Sequence, residues 1–378
     1  MPTARGWTVL AASAAFLALG LAVGYRELAA VGSVGIVTVV LAACWVGLPP
    51  RYAVDRTITP PRLSRGERCQ AVIDLHSASR GSRVLTIADR IRGPGGDRVV
   101  PVSPVRVRGG MPARTGYDVP TDRRGLLTVG PLWVGRRDML GLCGTNRAVG
   151  ETARLLVRPR WRLLRGVPLG ASPSLDGATD GALHGSIAFH ALREYQLGDD
   201  FRHVHWRTSA RVGTLMVREH IDTARPRLVL LLDDRGESYR GDAVAVEEAV
   251  EAAASVLVTA GQNGLPVMLC LVSGARSADP AGAGLDLLAQ VQPCDGLDLV
   301  AAMHGLRVEN TGDTLVMVTG PGADLAPVTA ARTSYARVVV VVLGGVATTA
   351  APLAGVTLIA ATTAVEFADR WNGMSAWT

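Results

Sequence analysis

The chain has 378 residues, 48% of them hydrophobic, and this length suggests about two to three domains. All 39 basic residues are arginine, against 33 acidic residues, and the formal net charge is +6. A sequence without lysine excludes P-loop nucleotide hydrolysis, protein kinase chemistry and Schiff-base catalysis, because each needs a lysine amine.

The five cysteines include no C-x-x-C pair, which argues against a zinc site and a disulfide framework. Acidic residues interleave the arginines and aromatic residues are only 4%, so no nucleic-acid partner is expected.

Two uncharged segments, residues 7–25 and 28–48, are each long enough to cross a hydrocarbon core of about 30 Å. Only Arg26 and Glu27 separate them, so residues 1–50 are predicted to form a transmembrane helical hairpin. A secretory signal peptide is disfavoured, because no small-residue cleavage site precedes the second segment. The arginines nearest the outer ends of the pair are Arg5, Arg51, Arg56, Arg62 and Arg65. By the positive-inside rule, both termini are expected on the cytoplasmic side of the plasma membrane.

The region from residue 51 to 165 changes to short alternating runs separated by Gly, Pro and Asp. Such runs, at this spacing, predict a small β-sandwich-like module. The predicted strands are residues 69–75, 84–92, 99–107, 114–119, 125–129 and 155–159.

Residues 166–224 are interpreted as a linker that carries an unusually dense polar stretch. Residues 193–211 contain four arginines, three carboxylates and two histidines. Arginine and carboxylate at this density favour a buried ion-pair network, in which guanidinium groups satisfy several acceptors together. Arg202 and Trp206 are therefore expected to be structural residues, on a short strand or turn.

The string R-x-Y-x-x-G-D-x-x-R-x-x-x-W-x-x-S-A-R in this stretch resembles the signature of the domain of unknown function 58 family. The matching residues are Arg193, Tyr195, Gly198, Asp199, Arg202, Trp206, Ser209, Ala210 and Arg211. Residues 123–125 and 138–142 resemble the R-R-G and D-x-x-G-L segments of the same family. The resemblance implies two membrane spans, a von Willebrand factor A-like carboxy-terminal half, and genes beside MoxR-type AAA+ ATPases and membrane transglutaminase-like proteins.

Strands and helices alternate over residues 225–378, which predicts an α/β domain with a mostly parallel sheet. Residues 227–233 form a continuous apolar run of the buried-strand type, and residues 243–260 have a helical stripe. Ligands of such sheets bind beyond the carboxyl ends of the strands, here near Asp233 and Gly320.

A von Willebrand A-like domain would bind Mg²⁺ at this edge, through carboxylate and hydroxyl oxygens. The candidate ligands are Asp233, Asp234 and Ser238, but Arg235 brings a positive charge into the same segment. A fold without metal or other cofactor is therefore preferred, with Mg²⁺ as the alternative. A transition-metal site on His203 and His205 is disfavoured, because arginines flank both histidines.

These features predict a non-enzymatic, membrane-anchored cytoplasmic adaptor. Its expected partners are the lipid bilayer, a MoxR-type AAA+ ATPase and a membrane transglutaminase-like protein, in envelope-related assembly or homeostasis. Two alternatives remain open. One is a metal-dependent ligand-binding protein with a degenerate adhesion site, and the other is a hydrolase built on Asp199, Asp234, Ser238 and the histidines.

Overall fold

The structure is a computed structural model, and it describes residues 2–47, 52–77, 82–108, 111–168, 188–195, 204–221, 228–309, 313–345 and 355–374. The chain divides into two compact units, Met1–Arg158 and Pro159–Thr378. The first unit contains the apolar hairpin and the β-module, and the second contains the signature stretch and the α/β sheet.

The two apolar segments form helices, as predicted, over Ala4–Val23 (α1) and Arg26–Gly47 (α2). Both helices are long and apolar enough to cross a membrane. The helices pack closely through small residues, since a Cβ added to Gly32 would lie 2.5 Å from the backbone nitrogen of Leu17. The turn between them uses Gly24, whose φ of 75° is a conformation that glycine adopts readily.

The β-module contains nine strands within the described residues. They are β1 (Tyr52–Thr59), β2 (Arg62–Ser64), β3 (Cys69–Ser77), β4 (Ser82–Gly93), β5 (Gly96–Arg108), β6 (Ala113–Val119), β7 (Gly125–Arg137), β8 (Gly144–Val149) and β9 (Ala153–Arg158). One sheet has the order β1-β3-β6, and the other has the order β2-β9-β7-β4-β5, with β8 also paired to β7. Six of these strands match the sequence prediction, whereas β1, β2 and β8 were not predicted.

The two sheets of the module face each other across shared apolar clusters. Ile73 of β3, for example, is buried in the same cluster as Ile87 of β4 and Leu132 of β7. A polar contact also crosses this core: Asp89 of β4 is fully buried and accepts from Arg56 of β1 and from Tyr117 of β6. The Arg56 Nη1 atom lies 2.9 Å from Asp89 Oδ2, and the Tyr117 hydroxyl lies 2.7 Å from the same oxygen. The sandwich is therefore joined by one buried ion pair as well as by apolar packing.

The second unit begins with a hairpin and a short helix from the signature stretch. Strand β10 (Ala188–Glu194) pairs antiparallel with β11 (Met216–Ile221), and α3 (Trp206–Val212) lies between them in the sequence. The sequence placed Trp206 on a short strand or turn, whereas in the structure Trp206 is the first residue of α3. A helix begins there, because the Nδ1 atom of His205 accepts a hydrogen bond from the backbone N–H of Thr208 and so caps the helix.

The rest of this unit is an α/β domain with a six-stranded sheet of order β14-β13-β12-β15-β16-β17. The strands are β12 (Leu228–Leu232), β13 (Val267–Leu271), β14 (Arg276–Ser277), β15 (Thr314–Thr319), β16 (Arg337–Leu343) and β17 (Thr357–Ala361). The helices are α4 (Ala243–Gln262), α5 (Ala283–Gln290), α6 (Leu299–Glu309), α7 (Ala326–Thr329) and α8 (Ala364–Gly373), with 3-10 helices at Gly236–Tyr239 and Ala330–Thr333. All strand pairs are parallel except β13 with β14, so the predicted parallel sheet is confirmed.

Helices cover both faces of this sheet. Leu230 of β12 points into the cluster that contains α4 and α8, and its neighbour Leu231 points into the cluster that contains α6. Every residue of β12 is buried, which explains its continuous apolar run.

The ion pair in the sandwich leads to a stability prediction. Burial and the hydrogen bond to Asp89 raise the pKa of Tyr117, so the phenol keeps its proton and remains a donor. Tyr117→Phe should lower stability by about 1–3 kcal/mol, because a buried carboxylate oxygen loses a donor. Thermal unfolding of the detergent-solubilised chain measures this. Tyr25→Phe, at a residue that is 59% exposed, is the matched control and should be neutral. Equal melting of the Tyr117 variant and the unchanged protein would contradict the prediction.

Candidate functional site

The candidate site lies at the carboxyl end of β12, next to the carboxyl end of β15. The backbone N–H of Asp233 donates to the carbonyl of Val318 (2.9 Å), which places Asp233 beside the last residues of β15. The order of strands along the sheet reverses between β12 and β15, since β13 lies on one side and β16 on the other. Open α/β sheets bind ligands at such a reversal point.

The carboxylate of Asp233 has no solvent exposure and accepts hydrogen bonds from three residues. Arg235 donates from Nε to Oδ1 and from Nη2 to Oδ2, each at 2.9 Å, and its backbone N–H adds a 3.2 Å contact to Oδ1. The hydroxyls of Ser238 and Thr319 both donate to Oδ2 at 2.7 Å. Five donors therefore surround the two oxygens of Asp233.

The guanidinium of Arg235 takes the position that a cation would need at Asp233. Arg235 is only 8% exposed, and the hydrogen bond with the Asp233 carboxylate raises the pKa of its guanidinium above the ordinary value. A third nitrogen, Nη1, donates to Glu237, whose side chain is 64% exposed. Because the charge of Asp233 is neutralised by its own chain, a divalent ion could bind there only if this guanidinium moved away.

The three predicted metal ligands do not converge. Ser238 shares Asp233 Oδ2 with Thr319, but Asp234 faces another loop, where its Oδ1 accepts from the backbone N–H of Ser273 (3.0 Å). No cluster of three or more His, Cys, Asp or Glu side chains that could hold a metal ion occurs among the described residues. Magnesium remains the alternative that the sequence left open, and the Asp233 oxygen that such an ion would need already accepts hydrogen bonds from the hydroxyls of Ser238 and Thr319.

Two glycines allow the loop after β15 to pack on the 3-10 helix that follows Asp233. A Cβ added to Gly320 would lie 2.3 Å from the carbonyl oxygen of Ser238, and one added to Gly322 would lie 2.8 Å from that of Glu237. The N–H of Gly322 also donates to the Ser238 carbonyl at 2.8 Å. The Gly-Pro-Gly sequence is therefore a close-packing loop at this site.

The family signature occupies a different part of the unit. Arg193 lies in β10 opposite Val217, and the backbone N–H of Tyr195 donates to the carbonyl of Leu215. Ser209, Ala210 and Arg211 lie in α3, whereas Gly198, Asp199, Arg202 and His203 lie outside the described residues.

Helix α3 is fixed to β11 by short polar contacts. Ser209 donates from Oγ to the carbonyl of His205 (3.1 Å) and accepts from the N–H of Met216 (2.8 Å). The N–H of His205 donates to the carbonyl of Met216 (2.7 Å), and Val204 forms a bridge with Val217. His205 is therefore a helix cap in this structure.

Trp206 does not lie in a buried network, which corrects the sequence interpretation. Its side chain is 64% exposed, and Val212 and Leu215 are 59% and 38% exposed on the same segment. Arg207 and Arg211 are also exposed. The signature stretch thus presents apolar and basic side chains to solvent, while Ser209 and Val217 face inward.

Sequence reasoning missed the role of Thr319 and the exposure of Trp206. Thr319 directly follows the apolar residues 315–318 at the carboxyl end of β15, and a polar residue at that position is a usable signal for a strand-end site. The exposure of Trp206 carries no such signal, because a tryptophan among charged residues is compatible with a core as well as with a surface.

Residues 191–293 match the family described as "Protein of unknown function DUF58". The chain is also 34% identical over 101 residues to "Uncharacterized protein YeaD" of Bacillus subtilis (strain 168), and the match covers 27% of this chain and 24% of that relative. The chain thus spans about a quarter of the length of this curated relative.

Two solved structures resemble parts of the chain. The Pseudomonas fluorescens alkylpurine DNA glycosylase AlkC, bound to DNA with an abasic site analog, has a TM-score of 0.22 and 15% identity over 35% of this chain and 39% of that one. The Listeria innocua β-glucosidase in complex with gluconolactone has a TM-score of 0.19 and 12% identity over 27% of this chain and 16% of that one. TM-scores this low do not define a shared fold.

The Arg235 contact can be tested by replacement with serine. Arg235→Ser should destabilise the protein by about 3–5 kcal/mol in the presence of EDTA, because Asp233 stays buried without its counter-charge. Millimolar Mg²⁺ should recover part of the lost melting temperature, since the introduced hydroxyl would join those of Ser238 and Thr319 around a carboxylate.

The double variant Asp233→Asn/Arg235→Ser is the control and should show no recovery with Mg²⁺. If Arg235→Ser melts like the unchanged protein in EDTA, the ion pair does not stabilise this edge of the sheet.

Proposed function

We propose that the protein is a non-enzymatic, membrane-anchored cytoplasmic adaptor that binds a MoxR-type AAA+ ATPase in envelope-related assembly or homeostasis. The observation that carries the proposal is the exposed Trp206 on a helix that polar contacts hold in place. A membrane transglutaminase-like protein is the second proposed partner, from the resemblance of the signature stretch.

The chemistry of the α3 surface is that of a protein-binding site. Tryptophan and arginine are the residues most enriched among binding hot spots. Trp206 is exposed at the start of α3 beside the exposed Arg207, and Arg211 and Val212 are exposed at the other end of this seven-residue helix. The two arginines favour a partner surface with acidic residues.

The strand-end site supports a binding role over turnover. Asp233 is engaged by five donors, so this carboxylate offers no free oxygen to act as a base. The contacts hold the loops after β12 and β15 in one arrangement, which suits a preformed docking surface. We assign the α/β domain to the von Willebrand A-like class, in which the carboxyl edge of the sheet contacts ligands.

Helices α1 and α2 supply the proposed anchor. Their length and hydropathy fit two membrane spans, and the exposed Arg5 lies at the outer end of the pair. A cytoplasmic location for everything after α2 agrees with the five cysteines, none of which forms a disulfide.

The adaptor proposal predicts that Trp206→Ala weakens ATPase binding without changing stability. Loss of a tryptophan hot spot costs about 2 kcal/mol or more, which is about 30-fold in affinity. The measurement is the dissociation constant for the purified full-length chain and a MoxR-type ATPase from the same organism, with the melting temperature of each variant recorded in parallel.

Trp161→Ala is the matched control, because Trp161 is 39% exposed in the same unit but outside the signature stretch. It should bind like the unchanged chain. Equal affinity of the Trp206 and Trp161 variants would remove α3 from the docking surface, and an unchanged chain that bound no ATPase would overturn the adaptor proposal.

The topology predicts a labelling pattern on intact cells. Glu27→Cys, in the first turn of α2, should react with a membrane-impermeant maleimide added outside. Cys294, which is partly exposed in the second unit, should react only after lysis. The reverse pattern would place the second unit outside the cytoplasm.

A further inference from the structure

The turn that joins β7 to β8, residues 138–143, packs against the apolar helices of the first unit. Leu142 and Cys143 are buried, and they share one cluster with three residues of α2: Val39, Ala42 and Val46. The Oγ1 of Thr3, just before α1, donates to the carbonyls of Gly141 (2.7 Å) and Leu142 (3.1 Å). We call this segment the β7–β8 turn.

The helix α2 sets the depth of the β7–β8 turn in a membrane. Counted from Arg26, a hydrocarbon core of about 30 Å takes about 20 residues of helix, which reaches Trp45. The thiol of Cys143 lies 3.8 Å from the carbonyl oxygen of Val39, six residues before Trp45 and so about 9 Å deeper along the helix. Part of the turn therefore lies beside a segment of α2 that is needed to span the hydrocarbon core.

Two tryptophans lie near the level at which the counted hydrocarbon core ends. Trp45 is 55% exposed near the end of α2, and Arg136 lies over its ring at 5.6 Å from the centroid. Trp7 is 59% exposed in the first turns of α1, next to Gly6, whose Cβ position lies 2.0 Å from the carbonyl oxygen of Leu142. Tryptophan is enriched at membrane–water interfaces.

The tip of the β7–β8 turn is apolar and faces outward from the protein. Met139 is 99% exposed and Leu140 is 62% exposed. Two adjacent apolar side chains with this exposure gain by entering the acyl boundary of a bilayer, where interfacial segments bury their apolar faces by about 5–10 Å.

Several backbone groups of the turn are hydrogen-bonded within the protein, which lowers the cost of placing them at this depth. The carboxylate of Asp138 accepts from the N–H groups of Leu140 (3.0 Å) and Cys143 (2.6 Å). The N–H of Gly141 donates to the carbonyl of Asp138. Arg5 and Arg137 are exposed beside the turn, where they suit anionic headgroups.

We propose that the β7–β8 turn inserts into the lipid–water interface of the leaflet on the module's side, with Met139 and Leu140 in the acyl boundary and Arg5 and Arg137 at anionic headgroups. This inference rests on the proposed membrane anchoring. It adds a second attachment, which holds the β-module against the bilayer.

The test uses the full-length chain in vesicles of phosphatidylcholine and phosphatidylglycerol. In a Cys44→Ser/Cys294→Ser background the other three cysteines are buried, so Met139→Cys can be labelled selectively with an environment-sensitive fluorophore. Leu126→Cys is the matched control: Leu126 is 41% exposed and lies near the start of β7, the strand that leads into the turn, about 36 Å before Arg137 along an extended chain. Flotation of the vesicles measures anchoring separately.

Nitroxide lipids labelled near the headgroup should remove most of the fluorescence at residue 139, lipids labelled near the chain end should remove less, and the label at residue 126 should be unaffected. If the protein floats with the vesicles but both labels respond alike, the inference is overturned while the anchor stands. Cross-linking of residue 139 between two copies without lipid quenching would also overturn it. A chain that does not float would overturn both proposals.

Discussion

A fully buried carboxylate must find donors on every side, and Asp233 meets this demand at the end of β12 with a guanidinium two residues along the chain. That choice determines the shape of the carboxyl edge of the sheet. Arg235 has to turn back toward β12, which brings Ser238 to the same carboxylate oxygen. Thr319 reaches that oxygen from β15, so the two central strands end in one hydrogen-bonded unit. Gly320 is then needed because the loops approach too closely for a Cβ.

The β-module uses the same physical solution in a different fold. Asp89 is as fully buried as Asp233, and its partners also come from separate elements, Arg56 of β1 and Tyr117 of β6. Truncation of one partner in such a pair leaves the other charge buried and uncompensated, which costs more than the intact pair contributes. Each unit thus contains one fully buried carboxylate whose donors come from separate segments of the chain.

The sequence predicted the first strand and the first long helix of the α/β domain closely, because a buried strand is a continuous apolar run and an amphipathic helix has an apolar stripe. The predicted range 227–233 differs from β12 by one residue at each end, and the range 243–260 ends two residues before α4 does. The two-residue strand β14 was beyond prediction, since it exists only through pairing with β13. Helix α3 was missed because its cap is a histidine, and the Asp233–Thr319 contact spans 86 positions that no local pattern connects.

Exposure of Trp206 and of Met139 has a common cause in the polar contacts beneath them. Ser209 and His205 hold α3 through backbone groups of β11, and Asp138 holds the β7–β8 turn through the N–H groups of Leu140 and Cys143. Since hydrogen bonds to the backbone fix each segment, its apolar side chains are not needed to stabilise it and can remain outside the core. A segment whose backbone is already fixed loses less conformational entropy when a partner or a bilayer covers it.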